Sequence, residues 1–233
     1  MTRINKYLSE AGFCSRREAD RLIEANRVTI NDEIPEVGTK VGHNDVVKVD
    51  GKEISNQKKR IYLAFHKPVG IVSTTDTKEK DNIVDYIGYP TRLFHVGRLD
   101  KDSHGLIIMT NDGDIVNKIL RAENMHEKEY LVKVDQRVTN TFLKSLEQGV
   151  EILNTMTKPC KTKRVDEFSF KITLTEGMNR QIRRMVNVFG YHVVALKRIR
   201  IMHIELDIPS GKYRHLTKYE MEKLEELLED SKK

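Results

Sequence analysis

The sequence has only two cysteines, Cys14 and Cys160, among 233 residues. They stand far apart and form neither a CxxC pair nor part of a Cys/His ligand set. That argues against a disulfide framework and against a zinc site. Two free, buried thiols are expected instead. The eight histidines show no paired metal-ligand spacing, so no metal is expected. Asn111-Asp112-Gly113-Asp114 lacks the further ligands of a calcium loop and reads as a turn plus helix cap. Glycine-rich phosphate loops of the Walker or Rossmann type are missing. No apolar run approaches the roughly 20 residues of a membrane span. The first residues, Met1-Thr2-Arg3-Ile4-Asn5-Lys6, lack the apolar core of a secretory signal, and a cytosolic location is the expectation. There is no internal repeat and no low-complexity tract. No coiled-coil heptad appears either, which points to a monomer.

Charge is abundant. Asp, Glu, Lys and Arg make up 33% of the chain, and the net charge is +6. A basic balance favours a polyanionic partner, though weakly by itself. Its distribution says more. Residues 1–54 hold 9 of the 41 Lys/Arg and 10 of the 35 Asp/Glu, so they are net −1 and the remainder is net +7. A polyanion would meet this first segment through a local patch and not through its total charge.

Hydrophobic spacing predicts a helix over 4–11 and another through about Glu24, with Ala19, Leu22 and Ile23 on its apolar face. Ser15-Arg16-Arg17-Glu18 has capping-box spacing before it. Arg16, Arg17 and Arg21 lie largely off the apolar face. Val28–Asp32 and Val46–Ile54 read as short strands with turns. The polar run 55–60 reads as a linker, and residues 61–233 as a larger domain. Strands are predicted at 61–66, 106–110, 129–134 and 168–174. Helices are predicted at 114–121, 140–148, 180–189 and 218–229. Strands and helices alternate without a βαβ rhythm, so the fold class is α+β and not doubly wound.

The segment His95 to Leu106 packs an arginine, a carboxylate and two glycines before an apolar strand. By itself this says only that Asp100 sits in a tight loop, where it could merely cap a turn. Tyr130, in an alternating strand, is by default a core residue. Arg180, Arg183 and Arg184 stand near a helix start, where the dipole disfavours them. A cluster aimed at phosphate or at a carboxylate explains that better than a solvated face.

Gly97-Arg98-Leu99-Asp100, continued by Ser103-His104-Gly105-Leu106, resembles the signature segment of pseudouridine synthases in the RsuA/RluA superfamily. Lys128-Glu129-Tyr130-Leu131-Val132 and Gly177-Met178-Asn179-Arg180-Gln181-Ile182-Arg183-Arg184-Met185 are similar to two further motifs of that group, in the same order. Residues 1–54 resemble an S4 RNA-binding domain. The chain is thereby identified as a member of the RsuA/RluB/RluE/RluF family of rRNA pseudouridine synthases. Asp81-Asn82-Ile83-Val84-Asp85 and Asn179 to Arg184 look closest to the RluF branch.

The resemblance implies a small S4-type domain joined by a linker to a synthase domain with a mostly antiparallel central sheet flanked by helices. It implies Asp100 as the catalytic aspartate. Tyr130 would pack on the target base, Arg183 would pair with Asp100, and Arg98 would help displace the nucleotide. Arg3, Lys6, Arg16, Arg17, Arg21, Asn179, Arg180 and Arg184 are the expected RNA contacts. The implied substrate is large-subunit rRNA, with a tRNA hairpin accepted as well, and no cofactor is needed. The rival expectation is a non-catalytic S4-type RNA-binding protein of ribosome assembly.

Overall fold

Residues 1–55, 59–229 and 231 are described by the computed structural model, and they divide into two units. The smaller comprises Met1–Ile61, Tyr89–Leu93 and Asn111–Gly113. Its two helices, Ile4–Glu10 and Arg16–Glu24, bury Ile4, Leu8, Ala19, Leu22 and Ile23. These pack with Val28, Val41, Val47 and Val49 in one cluster. Ser15 caps the second helix by accepting from the Glu18 amide at 3.1 Å. Glu18 pairs with Arg21 at 3.2 Å. Val28–Ile30, Val47–Val49 and Lys52–Glu53 form an antiparallel three-stranded sheet. Asp50 and Gly51, with φ of 49° and 75°, make the tight turn that the Asp-Gly pair predicts.

The expected linker at 55–60 coincides in part with residues 56–58, which lie outside the described residues. Beyond them the chain is tied down. Arg60 pairs with Asp112 at 2.9 Å, and the Asn111 side chain bonds Ile61 N and Lys59 O.

The larger unit is built on a nine-stranded sheet. Its strands run in the order Lys161–Arg164, Ser169–Leu174, Lys128–Val134, Val193–Ile201, His104–Thr110, Tyr62–Lys67 and Tyr213–His215. Phe94–Val96 and Ile204–Glu205 pair at the side. All pairings are antiparallel except that of Val193–Ile201 with His104–Thr110. Helices Asp114–Leu120 and Lys218–Leu228 pack against Ala64, Leu106 and Ile108. Helix Asn140–Glu147 places Phe142 edge-on against Phe170, with ring centres 5.6 Å apart. Thr217 and Glu220 form the full capping box expected of the last helix.

Three features depart from the sequence reading. Val193–Ile201, the longest strand, had no recognisable period, because register shifts at Val193/Ala195 and Arg198/Arg200 interrupt its alternation. The helix expected over 180–189 is Gln181–Val188, with Arg180 outside it in a left-handed conformation at φ 51°. Only Cys14 of the two thiols is fully buried; Cys160 is half-buried and donates to Leu146 O.

Candidate active site

The loop after Phe94–Val96 carries Arg98, Leu99, Asp100 and Asp102, and the chain then enters His104–Thr110. Its shape is fixed from two sides. Ser73 Oγ accepts from Leu99 N at 3.1 Å and donates to Leu99 O at 2.8 Å. Gly70 N donates to Lys101 O at 2.8 Å, and Ser103 N closes a turn onto Asp100 O at 3.0 Å. Gly105 ends the loop at φ +119°, where an added Cβ would stand 2.3 Å from Arg198 O and 2.5 Å from Arg198 N. No side chain fits there, so the loop can lie directly against the neighbouring strand.

The Asp100 side chain is 31% exposed and faces two arginines from the start of helix Gln181–Val188. Arg180 Nη1 is 3.6 Å from Asp100 Oδ2, and Arg183 Nε is 4.0 Å from the same oxygen. The shorter contacts go to the neighbouring residues. Arg180 Nη2 meets Asp102 Oδ2 at 3.0 Å, while Arg183 Nη2 reaches Asp102 Oδ1 at 3.2 Å and Ser103 Oγ at 3.1 Å. Partial burial pushes Asp102 up, but the Arg180 hydrogen bond and the Arg183 charge outweigh it and hold its carboxyl low. Arg183 Nε is buried without a hydrogen-bond partner among the described residues. The left-handed Arg180 puts its guanidinium into this cluster, at the backbone cost of a non-glycine residue with positive φ.

Asp100 opens onto a cavity of about 420 Å³. Arg98, Tyr130, Lys128, Asn179, Arg180 and Arg198 are among its lining residues. Tyr130 is 8% exposed, and Arg198 lies directly opposite it on the adjacent strand. Lys128 stands two residues along the same face as Tyr130 and is buried. Lys128 Nζ donates to His126 O at 3.2 Å, and Arg198 Nε to Leu106 O at 2.7 Å. Arg198 Nη2 is buried without a partner among the described residues. Burial first, and then the Arg198 charge, push the Lys128 ammonium down to about 8. The fully buried Lys67 is also pushed down by burial, to about 8, against the pull of Asp100 and Asp102. Its Nζ donates to Pro68 O and Ile71 O, which fixes the turn after Tyr62–Lys67. The cavity therefore combines one aromatic wall, two partly exposed carboxylates, Asp100 and Glu176, and several cations. That combination suits a planar group whose charge becomes negative.

The family profile for RNA pseudouridylate synthases matches residues 61–187, and the S4 domain profile matches residues 2–47. The chain belongs to the RNA pseudouridine synthases. The synthase is 54% identical over 233 residues to a Salmonella typhi protein described as "Dual-specificity RNA pseudouridine synthase RluF", covering 99% of this chain and 81% of that one. It is 32% identical over 242 residues to the Bacillus subtilis "Ribosomal large subunit pseudouridine synthase B", covering 100% and 99%. A crystal structure described as a pseudouridylate synthase superposes with a TM-score of 0.70 at 30% identity, covering 96% of this chain and 100% of the other.

Within the synthase, the structure gathers Asp100, Arg98, Tyr130, Asn179, Arg180 and Arg183 around one cavity or its rim. Arg184 turns back to Asn179, donating to its backbone and side-chain oxygens at 3.1 and 3.3 Å. Arg3, Lys6, Arg16, Arg17 and Arg21 belong to the smaller unit. Of these Arg3, Arg16, Arg17 and Arg21 are exposed, and Lys6 pairs with Glu10 at 3.4 Å. Sequence reasoning missed Asp102, Ser73, Lys67, Lys128 and Arg198. Asp102 and Lys128 sit inside the motifs and could have been weighed with their neighbours. Ser73 and Arg198 are brought in by pairings that are distant along the chain. The buried cation at position 128 has a testable cost. Lys128 takes up a proton more readily when unfolded, so its penalty is full below about pH 8 and fades as pH rises toward the ordinary lysine value near 10.5. Lys128→Met is expected to be more stable than wild type at pH 7 in urea unfolding, with the advantage shrinking between pH 8 and 10.5. An advantage that stays constant across that range would refute the burial argument.

Proposed function

We propose that the synthase isomerises uridine to pseudouridine in large-subunit rRNA and in a tRNA hairpin, with Asp100 as the catalytic carboxylate. The observation that carries this reading is the placement of Asp100 beside Arg180 and Arg183 at a cavity walled by Tyr130. Relatives at 53–54% identity described as dual-specificity RNA enzymes support action on two kinds of RNA. We place the protein in the cytosol, where such RNA is met.

A uridine stacked in RNA must leave its helix, at a cost of a few kcal/mol. Arg98 fills the vacated space, and the Tyr130 ring supports the extruded base, which together offset that cost. Asp100 then acts at the sugar–base junction, attacking C1′ or the base or removing the C2′ proton. In each route the C1′–N1 electron pair leaves with the base. The base turns and C5 bonds to C1′; the bond from Asp100 to C1′ or to the base is broken again, or the C2′ proton is given back by Asp100, the C5 proton is lost and N1 gains one. Lys128 and Arg198 flank Tyr130 and favour the base while it carries that extra pair. Residues 1–54 dock the RNA through Arg3, Lys6, Arg16, Arg17 and Arg21, and Asn179, Arg180 and Arg184 contact it beside the cavity.

Turnover on matched rRNA and tRNA fragments tests the substrate assignment. Product from both supports it, and product from one alone removes the other. Arg183→Ala is expected to lower the single-turnover rate by about 10²-fold while RNA affinity changes little, because its guanidinium organises the Asp100–Ser103 loop. A large affinity loss at unchanged rate would contradict that role.

A further inference from the structure

On the four strands Lys161–Arg164, Ser169–Leu174, Lys128–Val134 and Val193–Ile201, the face of the sheet opposite Tyr130 is basic and largely exposed or half-buried. Along Lys128–Val134 the buried residues Tyr130, Val132 and Val134 alternate with half-buried Leu131 and exposed Lys133. Along Ser169–Leu174 the half-buried Lys171 and Thr173 alternate with buried Phe170, Ile172 and Leu174. Cross-strand register lines up Lys163, Lys171, Leu131, Lys197 and His104 in one row. Strands lie about 4.8 Å apart, so the row spans roughly 19 Å. Lys133 is exposed one position further along its own strand, opposite exposed Ala195.

The charge on this face is lopsided. Lys161, Lys171 and Arg200 surround Glu127 and Glu129, with ion pairs of 2.9 to 3.3 Å. That leaves Lys133, Lys163 and Lys197 with no ion pair among the described residues. With exposed Glu205 opposite Arg200 and Asp166 within reach of the Lys133 charge, six cations share four carboxylates, and the face keeps a positive excess. Lysine on an edge strand commonly guards against strand addition, which accounts for Lys161 and Lys163. It does not account for Lys133, Lys171 and Lys197, which stand on interior strands. Apart from Leu131 the row holds no large apolar side chain, so it lacks the hydrophobic centre that a protein partner needs.

We propose that this basic face is a second RNA contact, taking the phosphate backbone of a helical segment outside the hairpin that carries the target uridine. The proposal rests on the reading that the chain acts on RNA. It assigns sequence-independent affinity to the back of the sheet and leaves target choice to the cavity side.

The test uses the full chain with Lys133→Gln, Lys163→Gln and Lys197→Gln combined. None of these residues takes part in the catalytic cluster. A control carries the same charge change at the exposed Lys144, Lys212 and Lys218. Binding is measured between low and physiological salt on two RNAs: a hairpin around a uridine that the wild-type protein modifies, and a longer rRNA transcript containing it. The triple variant is expected to bind the hairpin and turn it over within about twofold of wild type. On the long transcript it should bind about 10-fold more weakly, with a log–log salt slope shallower by about 2 to 3. The control should keep the wild-type slope. An unchanged slope, an equal loss on both RNAs, or the same loss in the control would overturn the proposal. Binding by wild type without any product would instead sink the synthase reading, and the slope comparison would still decide this one.

Discussion

Asp100→Asn is expected to reduce single-turnover pseudouridine formation by about 10⁴-fold or more, with RNA affinity within a few-fold of wild type. The substitution keeps shape and removes charge. It deletes ion pairs of 3.6 Å to Arg180 and 4.0 Å to Arg183, partly exposed contacts of at most about 1 kcal/mol each, so the fold should persist. It also deletes the group that the account requires at the sugar–base junction. An amide there cannot act as a carboxylate nucleophile or as a base. Arg180 keeps its contact with Asp102, and Arg183 keeps Asp102 and Ser103, so the surrounding cluster should hold its geometry. The readout is release of tritium from carbon 5 of labelled uridine in RNA, because that C–H bond must break when C5 takes over the bond to C1′. A variant retaining more than about a tenth of the wild-type rate would remove Asp100 from the mechanism.

Gly105→Ala is expected to be the most damaging small substitution in the larger unit. A methyl group would meet two backbone atoms of Arg198 at 2.3 and 2.5 Å, and the backbone stands at φ +119°. Neither the clash nor the conformation can be relieved by a rotamer change. The loop and the strand Val193–Ile201 would have to part, and Arg198 would lose its Nε bond to Leu106 O. Destabilisation of about 3 kcal/mol or more is expected in urea unfolding, together with loss of activity, because the same loop carries Asp100. Unfolding within about 0.5 kcal/mol of wild type would show that the two strands are not held this closely.

The parts of the molecule that follow local rules were legible in the sequence. Capping serine and threonine, the Asp50-Gly51 turn and the alternation through Tyr130 each act over a few residues, and each appears in the structure where its spacing puts it. The strand Val193–Ile201 was hidden because bulges interrupt its period, and because a charged side chain, Arg198, stands on its buried face. At the site, motif order brought out Asp100, Tyr130 and Arg183. It did not show that Arg180 would approach Asp100 more closely than Arg183 does. That arrangement depends on the left-handed backbone of Arg180, which a helix pattern conceals. Lys67 and Ser73 were equally invisible, since their importance lies in backbone groups they hold and not in any pattern they share with neighbours.

The most direct measurement is nucleotide-resolution mapping of pseudouridine after unmodified large-subunit rRNA is incubated with the pure protein, run in parallel with Asp100→Asn. The account predicts pseudouridine at discrete positions with the wild-type chain and none with the variant, at comparable RNA binding. Equal binding by both proteins with no pseudouridine from either would contradict it, and would leave an RNA-binding protein that carries the site without its chemistry.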